Sequence, residues 1–89
     1  AFSRVFSAVL LNPPIRAGNK VVFDLIEGCS RVLLPWGELY LVLRVKQGGK
    51  TIARRSKEWF SSVELKNRKA GYLVYVLRQA RDSVEEGAV

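Results

Sequence analysis

The 89 residues predict a small α/β sheet, mostly parallel, whose last strand is reversed. Three observations predict it. Four short apolar runs punctuate the chain, stretches with apolar residues at helical spacing separate the first three, and only about five residues separate the last two. The first run, Phe6 to Leu11, reads as a buried strand that Asn12-Pro13-Pro14 stops, because adjacent prolines cannot continue a hydrogen-bonded ladder. From Gly18 to Leu33, Val21, Val22, Leu25, Ile26, Cys29, Val32 and Leu33 make one stripe of a helix, with Lys20, Asp24, Glu27 and Arg31 facing away. Leu34-Pro35-Trp36-Gly37 supplies turn chemistry. Glu38 to Val45 is apolar without alternation in its middle, as suits a strand covered on both faces. Gly48-Gly49 opens a second helix to about Phe60, with Ile52, Ala53, Ser56, Trp59 and Phe60 on one side. Ser62 to Lys66 alternates like a half-covered strand, and Tyr72 to Leu77 is the last strand. Asn67 to Gly71 is too short for a parallel crossover, so this final pair is expected to be antiparallel. Residues 1–80 form the structured unit on this reading, and Arg81 to Val89 a flexible acidic tail.

Composition narrows the chemistry. One cysteine and no histidine exclude a zinc or iron site built from those ligands, and with it histidine-dependent acid–base catalysis. The longest apolar run, Tyr72 to Leu77, is far short of the roughly 20 residues of a membrane span, as is Leu39 to Leu43. With no secretory signal and no possible internal disulfide, the expected location is the cytoplasm. Fifteen Lys and Arg against eight Asp and Glu give a net charge of +7 and a pI near 10.1. Such a domain is drawn to polyanions, above all nucleic acid, although a solvated basic surface explains the same balance. Most of this charge falls between Arg44 and Lys69, against only Glu58 and Glu64. The chain begins with Ala1, has no methionine, and opens almost directly into an apolar strand. It reads as a fragment or processed product whose first strand requires a neighbour.

In α/β sheets ligands sit beyond the carboxyl ends of parallel strands. Two loops occupy that position: Asn12 to Gly18, and Lys46-Gln47-Gly48-Gly49. Proline at 13 holds Asn12 extended, and neither Pro13 nor Pro14 has an N–H, so this backbone offers carbonyl acceptors alone. Asn12 adds a side-chain amide. A rigid corner of this kind can grip both hydrogens of an exocyclic amine and turn its lone pair toward an electrophile. The same tripeptide also reads as a plain turn.

Leu10 to Gly18, Leu-Leu-Asn-Pro-Pro-Ile-Arg-Ala-Gly, resembles the fourth motif of class I S-adenosylmethionine-dependent methyltransferases acting on amino nitrogens. It is most similar to the small-subunit ribosomal RNA guanine-N2 methyltransferases, whose catalytic domain is the methyltransferase small domain. Leu33 to Leu39, Arg44 to Gly49 and Gly71 to Val74 resemble that family's later elements in order and spacing, and the likeness runs from about residue 5 to 78. The resemblance implies a partial Rossmann-like methyltransferase sheet, the C-terminal half of the catalytic domain. It implies Asn12 and Pro13 as the catalytic grip on the amine. Pro14, Ile15, Arg16, Lys46 and Gln47 would contact the substrate, an RNA and specifically rRNA. Ile15 stands where many such enzymes carry a stacking aromatic. S-adenosylmethionine is the implied cofactor and no metal is needed. The glycine-rich loop that binds this cofactor is expected upstream of Ala1, so the 89 residues alone are expected to be inactive. The implied partner is the missing N-terminal half of the domain or a second copy of the chain. A non-catalytic, basic RNA-binding or dimerising fragment is the alternative reading.

Overall fold

A computed structural model describes residues 4–81, so the expected acidic tail lies, but for Arg81, outside the described residues. The elements are β1 (Phe6–Leu11), α1 (Asn19–Val32), β2 (Leu33–Arg44), α2 (Gly49–Arg55), β3 (Phe60–Lys69) and β4 (Tyr72–Ala80). They form one four-stranded sheet in the order β1-β2-β4-β3. β1 pairs with β2 in parallel, and β4 is antiparallel to both of its neighbours. Three strands therefore point one way and the last runs back between β2 and β3, as the short final connection predicts.

Both helices bury their apolar sides against the same face. Val22, Phe23 and Ile26 of α1 and Ile52 and Ala53 of α2 join Leu39, Leu41, Leu43, Phe60 and Leu77 in a single core. Phe23 packs on Trp59 with ring centroids 5.8 Å apart, linking α1 to the segment that leaves α2. The α1 stripe is rotated from the expected one: Phe23 is buried, whereas Val21 and Leu25 stand 40% and 39% exposed. α2 stops at Arg55 and passes through a 3-10 turn, Ser56–Glu58, where the Ser56 hydroxyl donates to the Ile52 carbonyl at 2.8 Å. Phe60 therefore belongs to a strand, not to the helix expected to reach it.

Three further expectations are revised. The Leu34–Gly37 turn exists as an excursion inside β2: between the pairs Phe6↔Leu33 and Ala8↔Glu38, β2 accommodates extra residues. The non-alternating run in β2 is not covered on both faces among the described residues. Leu39, Leu41 and Leu43 are buried under the helices, while Tyr40 and Val42 on the opposite face are half-buried. The β3–β4 connection is two residues long, not five, because β3 continues to Lys69, which pairs with Tyr72. Ala70 and Gly71 both take positive φ, 52° and 83°, as a two-residue turn matched to strand twist requires. No described helix is long and apolar enough to cross a membrane.

Candidate active site

The parallel pair fixes the site's edge. Leu11, the last residue of β1, pairs with Leu41, so the chain leaves the sheet at Asn12 beside the carboxyl end of β2. Pro13 is buried, while Asn12 and Pro14 on either side are exposed. Ile15 to Ala17 form a 3-10 turn in which Ala17 N–H donates to the Pro14 carbonyl at 2.9 Å and Gly18 N–H to the Ile15 carbonyl at 3.1 Å. Gly18, at φ 104°, then redirects the chain into α1 and accepts from Val22 N–H at 3.2 Å.

This bonding sorts the corner's acceptors. The Pro14 carbonyl is engaged inside the turn. Among the described residues no hydrogen bond engages the exposed Asn12 side chain or the carbonyl of the buried Pro13, so neither oxygen's accepting capacity is used within the chain. Ile15 is half-buried and packs against the core, so only part of its side chain faces outward. Arg16 is exposed.

The second loop reaches the same edge. Lys46 and Gln47 are exposed in a 3-10 turn, Val45–Gln47, that follows β2 directly. Val45 N–H donates to the Gly71 carbonyl at 3.0 Å, which brings the β3–β4 turn beside it. Among the described residues no hydrogen bond joins this loop to the Asn12 loop. Gly48 takes the left-handed conformation, φ 80°, and Gly49 begins α2 against the end of β2. A Cβ on Gly49 would lie 2.7 Å from the Arg44 carbonyl oxygen and 3.0 Å from Leu43 Cβ. Gly49 thus serves close packing of helix on strand, while Gly48 supplies the left-handed turn before it.

Other ionisable groups lie elsewhere. Glu38, midway along β2, accepts from Arg78 Nε at 2.6 Å and from the Tyr40 hydroxyl at 2.8 Å. The Arg78 hydrogen bond, then that of Tyr40, holds the Glu38 carboxyl below the usual carboxylate range. Tyr40 thus spends its hydroxyl on the sheet face away from the helices. Burial pushes the Cys29 thiol up, which leaves it protonated on the inner side of α1. Sequence reasoning missed Tyr72 and the Ala70-Gly71 turn, because only the hairpin pairing carries them to the site's edge; the positive-φ demand at residue 70 is not written as an Asn or Gly.

Comparison with known proteins agrees with this architecture. The family model described as "Methyltransferase small domain" matches residues 1–76. A protein of Bacillus subtilis (strain 168), the uncharacterized protein YbxB, is 38% identical over 72 residues, which is 81% of this chain and 36% of that protein. Among solved structures, the T. thermophilus 16S rRNA N2 G1207 methyltransferase (RsmC), in complex with AdoMet and guanosine, superposes with a TM-score of 0.84 at 20% identity. That match covers 91% of this chain and 22% of the other. The chain thus spans about a third of one relative and under a quarter of the other. With the family's pattern matched over residues 1–76, this chain belongs to the methyltransferase small domain family.

Proposed function

We propose that this chain is the acceptor-gripping part of an S-adenosylmethionine-dependent N-methyltransferase acting on an exocyclic amine of RNA, guanine N2 of small-subunit rRNA. One observation carries the reading: the exposed Asn12 amide, unbonded among the described residues, stands beside a proline anchored in the protein at the carboxyl edge of a parallel pair. In this reading Asn12 Oδ1 and the Pro13 carbonyl each accept one N–H of the amine. With both hydrogens held, the nitrogen lone pair is directed out of their plane, and the buried Pro13 ring keeps the two oxygens from drifting apart. Pro14 acts through its turn, and Arg16, Lys46 and Gln47 border the path of the RNA strand. The substrate class is supported by the fold shared with an enzyme named for guanine N2 of 16S rRNA, and by the net charge of +7.

S-adenosylmethionine does not fit the described residues. No Gly-x-Gly-x-x-Gly loop occurs among the described residues, and the space beside Gly49 is already occupied by the Arg44 carbonyl and Leu43. The reading therefore assigns the cofactor to residues other than these, in the remainder of the domain, which would also pair with the open edge of β1.

The test uses guanosine and inosine, which differ by the 2-amino group. Guanosine is expected to bind the chain about tenfold more tightly than inosine, from two hydrogen bonds of roughly 0.5–1.5 kcal/mol each. Asn12→Ala is expected to remove most of that difference while leaving the fold intact. Equal affinity for the two nucleosides in the wild-type chain would rule the reading out.

A further inference from the structure

Beyond the Asn12 corner, a second feature lies at the same edge. Arg44, Lys46, Ala70, Gly71 and Tyr72 line a pocket of about 200 Å³. That is smaller than the roughly 300–1,000 Å³ of pockets that enclose a drug-sized ligand, and it suits a single compact group.

The lining decides which group. Arg44 and Tyr72 are directly paired across β2 and β4. The Arg44 guanidinium lies 4.8 Å from the centre of the Tyr72 ring, and its Nε and one Nη donate to the Tyr72 hydroxyl. Two consequences follow. The hydroxyl end of the ring is already engaged by the guanidinium, so Tyr72 serves to hold Arg44. Arg44 is also held in place by a neutral partner, so its charge is not cancelled, and its other Nη has no partner among the described residues. Lys46 supplies a second exposed cation, and no carboxylate lines the pocket. The rim is fixed by the Val45 N–H to Gly71 carbonyl bond of 3.0 Å. A preorganised guanidinium with spare donors beside an ammonium is a site for a phosphate oxyanion.

The pocket's place relates it to Asn12. Arg44 lies three residues beyond Leu41, the partner of Leu11, hence about 10 Å farther along the strand direction at roughly 3.3 Å per residue. We propose that the Arg44–Lys46–Tyr72 pocket binds a backbone phosphate of the RNA strand whose target amine lies at Asn12, with Tyr72 as the positioning residue for Arg44. This rests on the RNA reading above and adds to it a second, electrostatic point of attachment.

Fluorescence anisotropy with a labelled single-stranded RNA, measured over a range of salt concentrations, tests it. Loss of one phosphate contact flattens the log–log salt slope by about 0.7 and weakens binding about fivefold near 0.1 M salt. Arg44→Gln and Lys46→Gln should each show this, Arg44→Lys should keep the slope, and Tyr72→Phe should weaken binding without changing it. RNAs carrying one neutral methylphosphonate at successive positions should reproduce the loss at one position, with no further loss in Arg44→Gln. If the wild-type chain binds RNA with a salt dependence that neither Gln variant alters, the pocket assignment falls while the Asn12 reading stands. Weaker binding of Arg44→Gln with the wild-type slope would also overturn it, as would preference of the pocket for an oligoglutamate peptide over RNA. Absence of any salt-dependent RNA binding by the wild-type chain would remove both the RNA reading and the pocket.

Discussion

At Asn12 the backbone does the selecting. The two prolines remove donors, and the 3-10 turn then occupies the Pro14 carbonyl, so the acceptors left open are those nearest the sheet. The residue type at 12 was legible as a candidate because an amide followed by two prolines at the end of an apolar strand has few backbone conformations open to it. Its freedom from partners was not legible, since that depends on which groups α1 and the turn use for themselves. Ala70 shows the opposite case. An L-residue at φ 52° costs about 1–2 kcal/mol relative to a residue that tolerates the left-handed region. Ala70→Asn, which would write the Asn-Gly pair this turn geometry favours, is expected to raise stability by about 1 kcal/mol, read as a higher urea midpoint with unchanged slope.

Among the elements, the junction of β2 with α2 is the tightest. Gly49→Ala is expected to cost about 1–3 kcal/mol in chemical denaturation, because the added methyl meets the Arg44 carbonyl and neither backbone can yield without moving the other. The middle of β2 carries a pH dependence. Glu38 is hydrogen-bonded by Arg78 in the folded chain, with its carboxyl held below the ordinary 4.5. A carboxylate with a lowered folded pKa contributes stability above its unfolded value and loses it as pH falls through the lowered one. Thermal stability should therefore drop below about pH 4.5, and Glu38→Gln should flatten that part of the profile. The elements were legible where one face repeats, as in β4 and most of α1. They were less so where tertiary packing overrides local pattern. Phe60 has the right phase to continue α2, but its ring is drawn into the core from a strand. The Leu34–Gly37 turn chemistry is absorbed as a bulge, because β1 pairs on both sides of it.

For the whole molecule, the two sheet edges differ. β3 is guarded by Glu64, Lys66, Arg68 and Lys69 and by a register shift between Leu65 and Asn67. β1 exposes Phe6 and Leu10 at 50% and 74%, and Val5 just before it at 60%. An unguarded apolar edge invites a strand, which agrees with a chain spanning only part of its relatives. The isolated chain is expected to self-associate with rising concentration in size-exclusion chromatography, and Leu10→Lys to reduce this; a concentration-independent monomer would count against pairing at β1. Sequence reasoning anticipated the edge from the early position of the first strand, but not the second open surface, because nothing in the run Glu38 to Val45 says on which side both helices will settle. The most direct measurement of the central claim is the ¹⁵N–¹H side-chain signal of Asn12 in the labelled chain during titration with guanosine. The signal is predicted to shift with guanosine and to stay in place with inosine. Equal shifts with both nucleosides, or none with either while the wild-type spectrum shows a folded chain, would contradict the account.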